Sequence, residues 1–163
     1  MKSEIEIIWT ASPLGTLLLT LSGGVLTRLR LTEEAPDTSP ATPSPAARRV
    51  LRELAEYFAG TRKKFSVPIA PAGTTFQRQV WAALRSIPYG EVRTYGEIAH
   101  QIGSPGAMRA VGGACHANPV PIVTPCHRVV AAHGPGGFGS GLAIKRRLLA
   151  LETGDEVPFG FKW

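Results

Sequence analysis

A chain of 163 residues that is 44% hydrophobic and 18% charged can bury one substantial core or two small ones, and it is too apolar to be disordered. No run reaches the about 20 apolar residues needed to cross a bilayer, and Glu4 and Glu6 do not suit a secretory leader, so an intracellular, cytoplasmic protein with no membrane partner is expected. The net charge of +6 lies mainly after residue 71, where nine Lys and Arg stand against five acidic residues, a bias that favours polyanions.

Glu4 to Trp9 alternates as a half-buried strand does. Leu14 to Leu21 and Val25 to Leu31 read as two further strands across the turn Ser22-Gly23-Gly24. Thr32 to Ser44 is rich in Pro, Thr and Ser and reads as a loop. Pro45 suits a first helical turn, with Val50, Leu51, Leu54 and Phe58 as the inward stripe and Gly60 as the stop. Phe65 to Ile69 is expected to return to the sheet. Ala70-Pro71-Ala72-Gly73 then reads as a linker, dividing a small α/β domain (1–70) from a mostly α domain (71–163).

In the second domain Phe76, Val80, Trp81 and Leu84 form one helical stripe behind Thr74 and Thr75 as candidate caps. Glu91-Val92-Arg93 is a short extended piece. Thr94 begins a helix carrying Ile98 and Ile102 and closed by Gly103, and Ser104-Pro105 opens a third helix running to Ala114. Two short helices across a tight Gly-containing turn form a helix-turn-helix pattern, against the plainer reading of a helical bundle. A helix that reads bases in the major groove needs Asn, Gln or several Arg on its face. The stretch from Gly106 to Ala114 offers Arg109 alone. Its small residues suit close approach to a surface without reading sequence, or simply close packing of two helices. Leu142 to Thr153 reads as a last helix with Ile144, Leu148 and Leu149 inward and Gly154 as its stop.

The most informative stretch is Asn118 to Val130. Pro119, Pro121 and Pro125 stiffen the approach to Cys126. Arg128 and a protonated His127 would favour the thiolate, and His127 could instead act as a base on the thiol, directly or through a water. The glycines from 134 to 141 let backbone amides approach a flat ligand. Glu152, in the last turn of its helix, opposes the helix dipole, which points to a role other than helix stability.

Pro125-Cys126-His127-Arg128-Val129, with Arg109-Ala110-Val111-Gly112-Gly113 and Asn118-Pro119-Val120-Pro121 before it, closely resembles the O6-alkylguanine-DNA alkyltransferase family from about Phe76 to Glu152. The N-terminal part resembles that family's ribonuclease-H-like domain in element order alone. The resemblance implies a winged helix-turn-helix domain that enters the minor groove of double-stranded DNA with little sequence specificity, and a damaged guanine flipped into a pocket. It implies single-turnover, irreversible transfer of an alkyl group, methyl above all, to Cys126, with no cofactor, by a monomer whose cooperativity on DNA is left open. O4-alkylthymine is a further candidate substrate. Glu152, His127 and a bridging water would draw off the thiol proton. Tyr95 would donate to N3 of the guanine, and Asn118 would brace the turn before the active-site segment. Arg109 would fill the gap left by the base, with Ala110, Gly113, Thr94 and Arg128 at the DNA. Cys115, Val129, Phe138, Gly139 and Ser140 would line the pocket, the carbonyls of Cys126 and Val129 accepting from the exocyclic amine. The loop after His133 is one residue shorter than the family pattern and Phe138 stands where Tyr is usual, so the amide facing O6 belongs to Gly139 or Ser140.

Other classes fit less well. A relative that binds alkylated DNA without repairing it would lack the nucleophile. A sequence-reading regulator needs a richer third helix, and a cysteine hydrolase needs a distant catalytic His with a motif around it, which His100, His116 and His133 lack. A metal site built from Cys115, His116, Cys126 and His127 has awkward spacing, and with no Cys or His before His100 the structural zinc of some family members cannot form.

Overall fold

A computed structural model describes residues 4–34, 36 and 42–154. The chain divides into two compact units, Met1–Ala72 and Gly73–Trp163.

The first unit is built on a meander of three antiparallel strands, β1 (Ile5–Ser12), β2 (Gly15–Ser22) and β3 (Val25–Thr32). Gly23 and Gly24, both at positive φ, make the two-residue turn between β2 and β3 that matches strand twist. The register sets Ile8 opposite Leu19 and Leu19 opposite Leu29, so one face is continuously apolar and buried. Helix α1 (Pro45–Phe58) begins where expected, with Pro45 in its first turn and the Ser44 hydroxyl accepting from Ala47 N at 3.1 Å. Glu6 on β1 in turn accepts from Ser44 N at 2.9 Å, which fixes the helix start to the strand.

The inward face of α1 differs from the expected stripe. Ala47, Val50, Leu54 and Tyr57 are buried, whereas Leu51 and Phe58 are half-buried. Glu53 is buried too, because it accepts from Ser66 N and Ser66 Oγ, both at 2.7 Å, and lies beside Arg49 and Arg62. Burial would raise its pKa, but those hydrogen bonds and the two cations outweigh it and hold the carboxyl below its ordinary value. Phe65 to Ile69 does not form a strand. It touches the sheet through one parallel bridge between Leu26 and Ile69.

The second unit comprises α2 (Thr75–Arg85), β4 (Arg93–Thr94), α3 (Tyr95–Gln101), α4 (Met108–His116), a 3-10 turn (Cys126–Arg128), β5 (Val129–Val130) and α5 (Leu142–Thr153). Thr74 with Gln77, and Thr94 with Glu97, form reciprocal capping boxes that start α2 and α3. Helix α4 starts at Met108 rather than at Ser104-Pro105. Ser104 N–H donates back to Ala99 O at 2.9 Å and closes α3, while Ala107 N–H donates to Ser104 O at 2.9 Å, so residues 104–107 make a separate turn before α4. The core joins Val80, Trp81 and Leu84 of α2 to Ile98 of α3, Val111 and Ala114 of α4, and Cys126 and Val129. Trp81 Nε1 donates to Ala114 O at 2.8 Å, tying α2 to the end of α4. β4 and β5 pair in parallel, Arg93 opposite Val129. Among the described residues no helix is long and apolar enough to cross a membrane.

Candidate active site

The approach to Cys126 is a folded loop held by Asn118. Its Nδ2 donates to Thr124 O at 2.8 Å and its Oδ1 accepts from Val120 N at 3.0 Å, so one side chain spans the turn. Inside the turn Ile122 sits at φ 75, alone in that region among the described non-glycine residues. A β-branched residue there carries strain of about 1–3 kcal/mol. Cys126 N then donates to Thr124 O at 2.9 Å, and the 3-10 turn sends the next three side chains into the protein: Cys126 is 7% exposed, His127 0% and Arg128 6%.

Glu152 gathers this turn. His127 Nε2 lies 2.6 Å from its Oε2, Arg128 Nε donates to Oε1 at 2.8 Å, and Arg128 Nη2 donates to Oε2 at 3.1 Å. Gly90 N adds a bond to Oε1 at 3.1 Å. Burial works to raise the Glu152 pKa, but His127 and Arg128 prevail and hold the carboxylate far below the usual range. Burial lowers the His127 pKa more strongly than Glu152 raises it, with Arg128 and Lys145 adding to the lowering, so the ring rests neutral. His127 Nδ1 is buried with no hydrogen-bond partner among the described residues.

The electrostatics of the thiol differ from the sequence expectation. Arg128 does not face Cys126: besides Glu152 it donates to Ile87 O at 2.7 Å and stacks 5.8 Å from the Tyr89 ring centroid. Nor is His127 a resting cation. Burial raises the Cys126 pKa, and the groups that oppose this are Asn118 and the ammonium of Lys145. The resting thiol is therefore protonated and needs a base. Cys115 is pushed up to about 12 by burial and by Cys126, which leaves it a poor nucleophile.

Cys126 opens onto a cavity of about 260 Å³ lined by Tyr95, Gly112, Cys115, His116 and the Gly137–Gly139 segment. Tyr95 Oη accepts from Gly137 N at 3.2 Å, which leaves its own proton available. Tyr95 and Gly112 also border an apolar groove of about 380 Å³ with Thr94, Met108 and Arg109.

The structure thus brings Cys126, His127 and Glu152 together and puts Tyr95, Cys115, Phe138 and Gly139 on one cavity, with Asn118 behind it. Arg109, Ala110 and Gly113 are exposed on α4, and Thr94 caps α3. Three expectations need correction. Arg128 cannot be a DNA contact, because it is buried and its guanidinium is engaged by Glu152 and Ile87 O. Ser140 is exposed and does not line the cavity. Val129 is fully buried and its side chain does not line the cavity, while its carbonyl, which accepts from Lys145 Nζ at 2.5 Å, keeps a second lone pair for another donor. Sequence reasoning missed Lys145 and Gly90. Lys145 carried a signal: it stands three, four and seven residues before Leu148, Leu149 and Glu152, on the buried face of α5, where Ile144, expected inward, is only half-buried. Among the described residues no group of three or more His, Cys, Asp or Glu is arranged to hold a metal.

Residues 75–154 match the family described as 6-O-methylguanine DNA methyltransferase, DNA binding domain, and residues 7–71 match its ribonuclease-like domain. The chain is 50% identical over 145 residues to the methylated-DNA–protein-cysteine methyltransferase of Mycobacterium tuberculosis, covering 86% of this chain and 88% of that one. It is 58% identical over 106 residues to the protein of the same name from Methanosarcina acetivorans, covering 64% of this chain and 68% of that one. The crystal structure of Mycobacterium tuberculosis OGT in complex with DNA superposes with a TM-score of 0.80 at 49% identity, covering 90% of this chain and 91% of that one. The helix-turn-helix, the buried Cys-His-Glu constellation and these two matches, which together span most of the sequence, agree: the chain belongs to the 6-O-methylguanine DNA methyltransferase family.

Proposed function

We propose that this protein repairs DNA by direct reversal, moving the methyl group of O6-methylguanine onto Cys126 in one irreversible turnover. The observation that carries the reading is the placement of the Cys126 thiol on the cavity, next in sequence to a His127 that is bonded to an ionised Glu152. With Nε2–H donating to Glu152, Nδ1 is the basic nitrogen of the ring and takes the thiol proton, directly or through a water. Glu152 stabilises the imidazolium that results. The thiolate attacks the methyl carbon, the carbon–O6 bond breaks, and the electron pair leaves on the guanine. Tyr95 O–H, its oxygen fixed by Gly137 N, donates to N3 and offsets that charge. The product thioether resists hydrolysis, so each molecule acts once, and the damaged DNA is itself the alkyl donor.

A base inside the stack cannot reach a thiol that is 7% exposed, so the guanine is extruded. The small-residue face of α4 docks in the minor groove, about 6 Å wide, and Arg109 projects from it into the gap. Little sequence is read, because α4 offers one long polar side chain. The free thiols of Cys115 and Cys126 suit a reducing, intracellular setting.

The test is intact mass spectrometry after incubation with an O6-methylguanine duplex oligonucleotide. One methyl group per chain is expected, mapped to the peptide containing Cys126. Label on Cys115, or many turnovers per chain, overturns the reading.

A further inference from the structure

The transfer step leaves one buried charge unused. Lys145 is fully buried on α5, a rare state for a lysine unless its ammonium is met. Two carbonyls meet it: Val129 O at 2.5 Å, in the strand that follows the Cys126 turn, and Gly137 O at 3.0 Å, in the segment that lines the cavity. No carboxylate pairs with it among the described residues. Gly137 is thereby held twice, through its N–H to Tyr95 Oη and through its carbonyl to Lys145. That segment has little packing of its own, since Gly137 and Gly139 are exposed and lack side chains.

We propose that Lys145 is a positioning residue, a clip whose ammonium joins the Val129 carbonyl to the Gly137 carbonyl and so fixes the cavity wall against the flipped base. The inference rests on the function proposed above. The groups facing Lys145 are the thiols of Cys126 and Cys115 and the imidazole of His127. Burial brings the Lys145 pKa down to about 8, the two thiols acting in the opposite sense. Above that pH the neutral amine still reaches both carbonyls but loses the charge assistance that makes each bond about twice as strong.

The experiment compares two reactions of Cys126: methyl transfer from an O6-methylguanine duplex, which needs the wall, and carbamidomethylation by iodoacetamide without DNA, which does not. Lys145→Met should lower transfer by about 10- to 100-fold, the scale of one or two charge-assisted hydrogen bonds, and carbamidomethylation far less. In the wild type the ratio of the two rates should fall as pH rises past about 8, and in Lys145→Met it should stay flat. Titration of Cys126 and His127 changes both reactions together and leaves the ratio alone. Equal loss in both reactions would make Lys145 a source of charge for the thiolate only and overturn the clip, as would no loss in either. Should the Met variant not fold, the wild-type pH profile decides: a flat ratio overturns the clip. A wild-type chain that is carbamidomethylated but transfers no methyl group refutes the functional reading itself, whereas an active wild type with an unchanged ratio refutes the clip alone.

Discussion

Replacing Glu152 with Gln changes one atom and one charge where α5, the Cys126 turn and Gly90 meet. Each carboxylate oxygen accepts two donors: Oε2 from His127 Nε2 and Arg128 Nη2, Oε1 from Arg128 Nε and Gly90 N. Gln offers one acceptor and one NH2 donor. Whichever way its amide turns, the NH2 faces an Arg128 N–H, which cannot accept. In one orientation His127 must also present Nε2 as the acceptor and carry its proton on Nδ1, which removes the base. Arg128 is left buried without its counter-charge. Removing one partner of a buried ion pair costs about 3–5 kcal/mol, or roughly 10 °C in thermal midpoint for a chain of this length. Loss of a positioned base costs about 10²–10⁴ in rate. Calorimetry and single-turnover transfer at neutral pH read the two effects. The stability that Glu152 contributes is present above the ordinary glutamate pKa of about 4.3 and drains as pH falls toward its depressed folded value. The gap between wild-type and variant midpoints should therefore narrow in acid. A variant that melts with the wild type and transfers at its rate refutes the reasoning.

Cys126→Ala should abolish transfer and leave duplex binding intact, because α4 docking does not use the thiol; a gel-shift titration showing both lost together would make Cys126 structural. Arg109→Ala should slow repair of a duplex far more than reaction with free O6-benzylguanine, since an intercalated guanidinium offsets the few kcal/mol of base extrusion only where a duplex exists; equal losses would move Arg109 from the DNA to the pocket or the fold. Gly136→Ala puts an L-residue at φ 72 with its Cβ 2.6 Å from Tyr95 Oη, so it should cost about 1–2 kcal/mol of stability and displace the tyrosine, lowering transfer while DNA binding persists; unchanged transfer would show that the tyrosine's place is not needed. His127 has its folded pKa lowered by burial, so the unfolded chain binds a proton near about 6.5 that the folded chain refuses, and stability should fall as pH drops below that value. In His127→Gln that part of the slope should vanish from the pH dependence of the thermal midpoint.

The features legible in the sequence were those that act locally along the chain. Pro45, Thr74, Thr94, Gly103 and Gly154 mark helix ends through bonds or dihedrals within a few residues of themselves, and the helices they bound lie where those residues put them. The one misplaced start, at Ser104-Pro105, failed because a Ser-Pro pair opens a tight turn as readily as a helix: Ala107 N–H closes that turn on Ser104 O, and α4 begins one residue later. Charges were read poorly for a different reason. Periodicity assigns Arg, Lys and Glu to solvent, yet Glu53, Arg128, Lys145 and Glu152 are all buried, and of these only Glu152 is marked in the sequence, by its place against the helix dipole. Each is met by groups distant in sequence, as Arg128 is by Ile87 O and Glu152 by Gly90 N, with |i−j| of 41 and 62. Such partners leave no mark near the residue itself. The consequence for chemistry is specific: Arg128, two positions from Cys126 in the written chain, serves Glu152, while Lys145, nineteen positions from Cys126, is the cation that acts on the thiol. A 3-10 turn, which throws successive side chains about a third of a turn apart, is what separates neighbours in this way.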